Sequence, residues 1–310
     1  MTLTRTRRLA GAGWIALLVC SGCSDPEVDA VRDAPVALQD AGREPRAQVG
    51  SATAGTVEQS VELTVKMSMG VDYGGQSIPA ETMPAVSTTL EFQPGQPSEA
   101  GGGFACRFEI AGASIVDYGS DMERLAQVNR ELTQQDPVGL AGTLARSRSG
   151  HVRAIDFEIP PASTTILRHF LANLKQALQQ LSVPFPGEPI GPGARWKVSL
   201  PVEISGLELT QAGTYELQRI EGDRLSVAIT ANLLAEPQLF QFPNMPAGSR
   251  CELIELNGRA SGTLTVDPLH PFPVLGRLEY GFDMRLRVQS EGQTSQLDSR
   301  VEMSFDVRTP

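Results

Sequence analysis

The sequence predicts an α+β fold: a large, strongly curved antiparallel sheet, or half-barrel, with two amphipathic helices on its concave face. Two patterns carry that expectation. Long stretches alternate with period two, as Val61, Leu63, Val65, Met67 and Met69 do against Glu62, Thr64, Lys66 and Ser68. Such alternation buries one sheet face and wets the other, which antiparallel sheets allow. The second pattern is a helical stripe between two β-rich halves. Leu167, Leu171, Leu174, Leu178 and Leu181 recur at spacings of four and three, with Phe170 beside them. A helix so striped needs an apolar face to lie on.

In chain order, residues 24 to 59 mix Asp, Glu, Arg, Pro, Ala and Gly without periodicity, and read as a disordered tether. A single domain is expected over residues 60–310. Gly70 to Met83 reads as a loop. Val86, Thr88, Leu90 and Phe92 form a second strand, and a third holds Cys106. Asp121 to Gln134 reads as the shorter helix, with Met122, Leu125, Val128 and Leu132 on one side. Short strands follow near 142–145 and 151–159. The central helix begins at Ser163, a suitable N-cap after Pro160-Pro161, and ends at Val183-Pro184, where the residue before proline resists the α conformation. Beyond an irregular Pro/Gly connector, Trp196 to Ile204 alternates, and Tyr215 to Ile229 turns at Glu221-Gly222-Asp223 as a hairpin. Further strands are expected at 251–256, 263–266, 282–288 and 301–307.

The N-terminus indicates export. Met1 to Arg8 is basic, Leu9 to Val19 is apolar, and Ser21-Gly22 precede Cys23. These are the regions of a signal peptide over residues 1–22, too short to span a bilayer. Cys20-Ser21-Gly22-Cys23 resembles the lipobox of bacterial lipoproteins, departing from it in having Cys20 where leucine is usual. The resemblance implies that Cys23 is acylated and becomes the mature N-terminus, anchoring the domain to a membrane. Ser24, rather than Asp, after that cysteine implies the outer membrane in such families. The half-barrel layout resembles periplasmic lipoprotein carriers and mycobacterial-type lipid-binding lipoproteins, by architecture alone. From Pro184 to Trp196 and onward, the chain is also similar to secreted bacterial lipoproteins of unknown function, a likeness that names no chemistry.

The formal charge is −10, and without Arg5, Arg7 and Arg8 there are 23 basic against 36 acidic residues, or −13. A field of that sign repels phosphate backbones, so nucleic acid is not an expected partner. His151, His169 and His270 are not at metal-ligand spacing, and no nucleophile motif is present. No enzyme activity, cofactor or metal is expected. Cys106 and Cys251 both sit on apolar strand phases. In an oxidising compartment they are either bridged or two buried thiols. Two loops are unusually apolar, one with Phe240 and Phe242, the other with Phe272. They either cap the core or, with Phe170 and Leu174 of the helix, rim an apolar pocket.

Two functions follow from that choice. One is binding of a lipid or other apolar ligand between sheet and helix. The other is a protein-interaction or envelope-structural module with a filled core, partnered by an envelope protein. Cys23→Ser is expected to release the protein from membranes, because no other stretch of the sequence is long and apolar enough to anchor it. Membrane fractionation checks this, and a variant that still sediments with membranes contradicts the anchor.

Overall fold

The computed structural model describes residues 35–49, 57–73, 76–82, 85–97, 103–117, 137–204, 207–240, 250–290 and 293–310. Its strands are β1 (Val36–Asp40), β2 (Gln59–Tyr73), β3 (Gln76–Thr82), β4 (Ala85–Phe92), β5 (Gln96–Pro97), β6 (Phe104–Asp117), β7 (Ala141–Arg146) and β8 (Val152–Phe157). After helix α1 (Thr165–Gln180) come β9 (Arg195–Ile204), β10 (Leu207–Glu221), β11 (Arg224–Leu234), β12 (Gln238–Phe240), β13 (Arg250–Val266), β14 (Leu275–Ser290) and β15 (Gln293–Arg308). All fifteen strands join one sheet, in the order β1-β9-β10-β11-β13-β14-β15-β2-β4-β6-β7-β8. β3, β5 and β12 attach to β2, β6 and β13. Every pairing is antiparallel.

This corrects the expected class. The chain is mostly β, not α+β, and α1 is the one helix among the described residues. The expected helix at Asp121–Gln134 lies outside them. Strand content is higher than the apolar alternation shows because the strands outrun their apolar cores. β13 runs through Asn257-Gly258-Arg259-Ala260-Ser261-Gly262, which joins what read as two strands. Gln76–Thr82, expected as loop, pairs with β2 as a hairpin. Val36–Asp40, within the stretch expected to be a disordered tether, pairs with β9. Its signal is two apolar residues, Val36 and Leu38, among charges, and the partner strand supplies the rest.

The sheet curls until its ends approach. From β9 to β7 there are nine strand spacings, about 43 Å in a flat sheet at about 4.8 Å each. Yet the connector after α1 reaches both. The Phe185 backbone N–H donates to Ser149 O in the β7–β8 turn at 2.7 Å. Trp196 Nε1 on β9 donates to Pro184 O at 2.8 Å, and the Phe185 and Trp196 rings stand 5.7 Å apart. Gly150, in that turn at φ +94°, allows the approach: a Cβ there would come 2.9 Å from Val183 O.

Helix α1 starts one residue later than expected. Thr164, not Ser163, is the N-cap, and its Oγ1 accepts from the Leu167 N–H at 3.3 Å. Its stripe faces inward: Leu167, Leu171, Leu174, Ala177, Leu178 and Leu181 are buried in the same cluster as Trp196, Tyr215, Leu253 and Phe305. Leu174→Ala is therefore expected to cost about 2–5 kcal/mol, read as a lowered unfolding midpoint in denaturant. Leu174→Asp, which buries a carboxylate, is expected to prevent folding. Unchanged stability in both variants would place the stripe outside the core.

Candidate functional site

The concavity of interest lies on the polar face of the sheet. A groove of about 770 Å³ crosses β10, β11, β13, β14, β15, β2 and β3. Strand register builds it. One rail is the row Thr214, Thr230, Ser261, Glu279, Ser304 and Lys66, each the cross-strand partner of the next. The other is Ala212, Asn232, Arg259, Gly281, Glu302, Ser68 and Thr82. The residues between the rails point the other way, into the apolar layer. Ala231, Ala260 and Tyr280 among them are buried. With rails two residues apart on each strand, the groove is about 7 Å between Cα rows and about 29 Å long.

Most polar-face charges are already paired. Arg277 meets Glu279 at 2.9 Å and Asp306 at 3.5 Å, and Arg300 meets Glu302 at 3.4 Å. Outside the groove, Arg285 joins Glu255 and Asp298 at 3.0 Å each. Arg308 donates to Glu62, and with Ser87 it holds that carboxyl below its usual range. Both groove carboxylates therefore have cations of their own. The Arg259 guanidinium has no hydrogen bond or ion pair among the described residues. Beside it in the rail stands Gly281, where a Cβ would meet nothing within 4 Å.

The described residues picked from sequence lie elsewhere, in or against the apolar core. Phe272 is buried and stacks on Phe92, with ring centroids 5.7 Å apart. Its loop is clamped. Gln59 accepts from the Phe272 N–H at 2.9 Å and donates to Phe272 O at 3.0 Å, and Arg146 Nη1 donates to Pro271 O at 2.8 Å. Leu174 and Phe240 are buried in the core, and Phe170 packs against it half-buried. Phe242 and Cys23 lie outside the described residues. Phe272 thus packs into the core, and the loop that carries it is tied to Gln59 and Arg146.

Cys106 and Cys251 are free, buried thiols. Burial pushes both up to about 12. They belong to β6 and β13, with four strands between. Sequence phase placed both in the apolar layer correctly, and it could not give the strand order that separates them. Close to Cys106 is the most unusual charge in the core, Arg146. Burial draws its guanidinium down to about 10. Its partners are Gly150 O at 2.8 Å, Pro271 O and the face of Phe104 at 5.7 Å, none of them an acid. A second polar group in the core joins Tyr215 and Tyr280 beside Gln211. Burial raises both phenols, Tyr215 to about 12.

Sequence reasoning missed the groove because no stretch of sequence contains it. Its rails are assembled two residues at a time from strands spread between Lys66 and Ser304, and only the register aligns them. Among the described residues no group of three or more His, Cys, Asp or Glu is arranged to hold a metal.

A family of unknown function, DUF6263, matches residues 171–272. That is about a third of the chain, from mid-α1 through the connector and β13 to the Phe272 loop. No curated protein sequence matches. Among solved structures, Acinetobacter baumannii OccAB4 aligns over 83% of this chain and 99% of its own at 6% identity, with a TM-score of 0.23. Pseudomonas aeruginosa OccK11 (OpdR) aligns over 86% and 100% at 9% identity, with a TM-score of 0.21. Scores that low carry no argument about fold or function.

The thiol assignment has a direct test. In a form lacking residues 1–23, Cys106 and Cys251 are expected to be unreactive toward Ellman's reagent when folded, and to release two equivalents in denaturant without reductant. Absence of thiol in denaturant would instead establish a bridge.

Proposed function

We propose that the protein is an exported, lipid-anchored, non-enzymatic interaction module of the cell envelope, in which the apolar interior is filled and the polar groove is the working surface. One observation carries this reading over apolar-ligand binding: Leu174, Phe240 and Phe272, the side chains that would wall an apolar cavity, are packed into one continuous core. The described groove is polar and on the opposite face. A ligand pocket for lipid is expected to be concave and mostly apolar, whereas the two rails of this groove carry mainly Ser, Thr, Asn and charged side chains, with Met67, Tyr280 and Met303 in the row between them.

The charge pattern supports a water-facing sheet. A barrel facing lipid presents an apolar band outward. Here the polar face of β13, β14 and β15 carries Glu252, Glu255, Arg285, Arg287 and Asp298, paired across strands, and Arg277 with Glu279 and Arg300 with Glu302, paired along one strand. Exposed pairs of this kind add little stability; they keep that face hydrated. The opposite, apolar face is buried in the same core as the α1 stripe and the connector. The anchoring at Cys23 and the outer-membrane placement rest on the lipobox resemblance.

Native mass spectrometry of protein taken from its own envelope tests the filled interior. The expected spectrum shows no lipid beyond the acyl chains on Cys23. Stoichiometric co-purified lipid, lost in Leu174→Ala, would return the interior to the role of a ligand site.

A further inference from the structure

We propose that the polar-face groove binds a glycan chain bearing sparse carboxylates, one of which is held by Arg259. This rests on the groove being the working surface and names what occupies it.

Shape comes first. The groove is open along its length, crosses seven strands and is about 29 Å long. That suits a linear chain rather than a compact small molecule. The sheet's own hydrogen bonds occupy the backbone beneath it, so a peptide cannot add there as another strand. Composition decides between a protein partner and a glycan. Protein interfaces are centred on aromatic side chains, Met and Arg, and are depleted in Ser, Ala, Lys and Glu. The rails are mostly Ser, Thr, Ala, Lys and Glu, with no aromatic side chain among them. The rails offer a hydroxyl or amide side chain on every groove strand but β14, and Met67, Tyr280 and Met303, which also line the groove, belong to the row between the rails that turns to the apolar layer. Such a surface suits a ligand that is itself a row of hydroxyls.

Charge sets the remaining requirement. Glu279 and Glu302 are neutralised by Arg277 and Arg300. Arg259 stands two strands from Glu302 in the same rail, flanked by Asn232 and by the gap at Gly281, and its guanidinium has no acid of its own among the described residues. A guanidinium there presents a planar fork to a carboxylate. The chain's formal charge of −10 opposes a densely anionic polymer. Isolated carboxylates on an otherwise neutral chain satisfy both conditions.

Gly281 provides a clean block. Its φ is not in the left-handed region, and a Cβ there projects into open groove space. Gly281→Trp should therefore fold and fill the groove beside Arg259.

The test is calorimetric titration of the whole protein with a hyaluronan decasaccharide, in which every second sugar carries a carboxylate. Dextran of similar length and poly-glutamate serve as comparisons. Hyaluronan is expected to bind and dextran to bind at least about tenfold more weakly. Arg259→Gln should lose at least about tenfold in hyaluronan affinity, the scale of one charge-assisted hydrogen bond, with an unchanged melting temperature. Gly281→Trp should abolish binding. Hyaluronan that fails to bind, or that binds equally well to both variants, overturns the proposal. Poly-glutamate binding that both variants remove, with hyaluronan inert, overturns the glycan assignment while leaving the groove as the working surface. Lipid in the native mass spectrum strikes at the underlying reading instead, so the two failures are distinguishable.

Discussion

The connector between α1 and β9 is the constraint on which the rest of the molecule depends. Twelve strands in one path leave two free edges and an apolar face far too large to stay wet. Curling buries that face against itself, and something must then close the seam. The residues from Ser182 to Ala194 do so. Ser182, Val183, Phe185, Ile190 and Ala194 are buried. The Phe185 N–H is tied to the β7–β8 turn and the Pro184 carbonyl to Trp196. Gly191 and Gly193 donate to Ala41 and Leu217, and Ala47 exchanges bonds with Ile190. The connector thus holds the N-terminal edge, β9, β10 and the far turn together. Its irregularity, enforced by Pro184, Pro186, Pro189 and Pro192, keeps it from becoming another strand with an edge of its own.

What was legible in the sequence was whatever repeats locally. Val61 to Met69, Trp196 to Ile204 and the Gly222 turn announce strands and a hairpin because side-chain period and turn chemistry are short-range properties. The α1 stripe was legible for the same reason, to within one residue at its cap. The edge strand β1 was not. Val36 and Leu38 become a strand only because Val198 and Trp196 are opposite them. The apolar loop around Phe272 shows the same limit. Its composition pointed to burial, and the choice between capping and rimming depended on Gln59 and Arg146, 213 and 125 residues away from the groups they bond. The groove is the extreme case, since each strand contributes only one or two rail residues and the register alone aligns them.

Arg146 shows how the curled core accepts a charge. A buried guanidinium without an acid costs several kcal/mol unless its donors are met. Two carbonyls and an aromatic face meet them, and each comes from an element that must be held: the β7–β8 turn through Gly150, the Phe272 loop through Pro271, and β6 through Phe104. Gln59 works in the same way from the start of β2, accepting from the N–H and donating to the C=O of Phe272. Side chains that imitate a neighbouring strand thus fasten a loop that has none.

The same register that builds the groove also orients it toward the proposed anchor. The groove's central row runs through Met67, Met303, Tyr280, Ala260, Ala231 and Gly213. Gly213 pairs with Val198, and Val198 with Val36. The first residue of β1 therefore stands on the groove's axis, two strand spacings or about 10 Å beyond its β10 side. Twelve residues separate Cys23 from Val36, and fully extended they span at most about 43 Å. An anchor at Cys23 would hold Val36 within that distance of the membrane and the β10 end of the groove within about 10 Å more, far closer than a tether of 35 free residues would allow. A linear ligand in the groove would lie across the strands, with the anchored edge at one of its ends. With the proposed anchor in place, sheet register and edge strand would act with it as one positioning device, and moving the anchor by even a few residues would change where the groove can work.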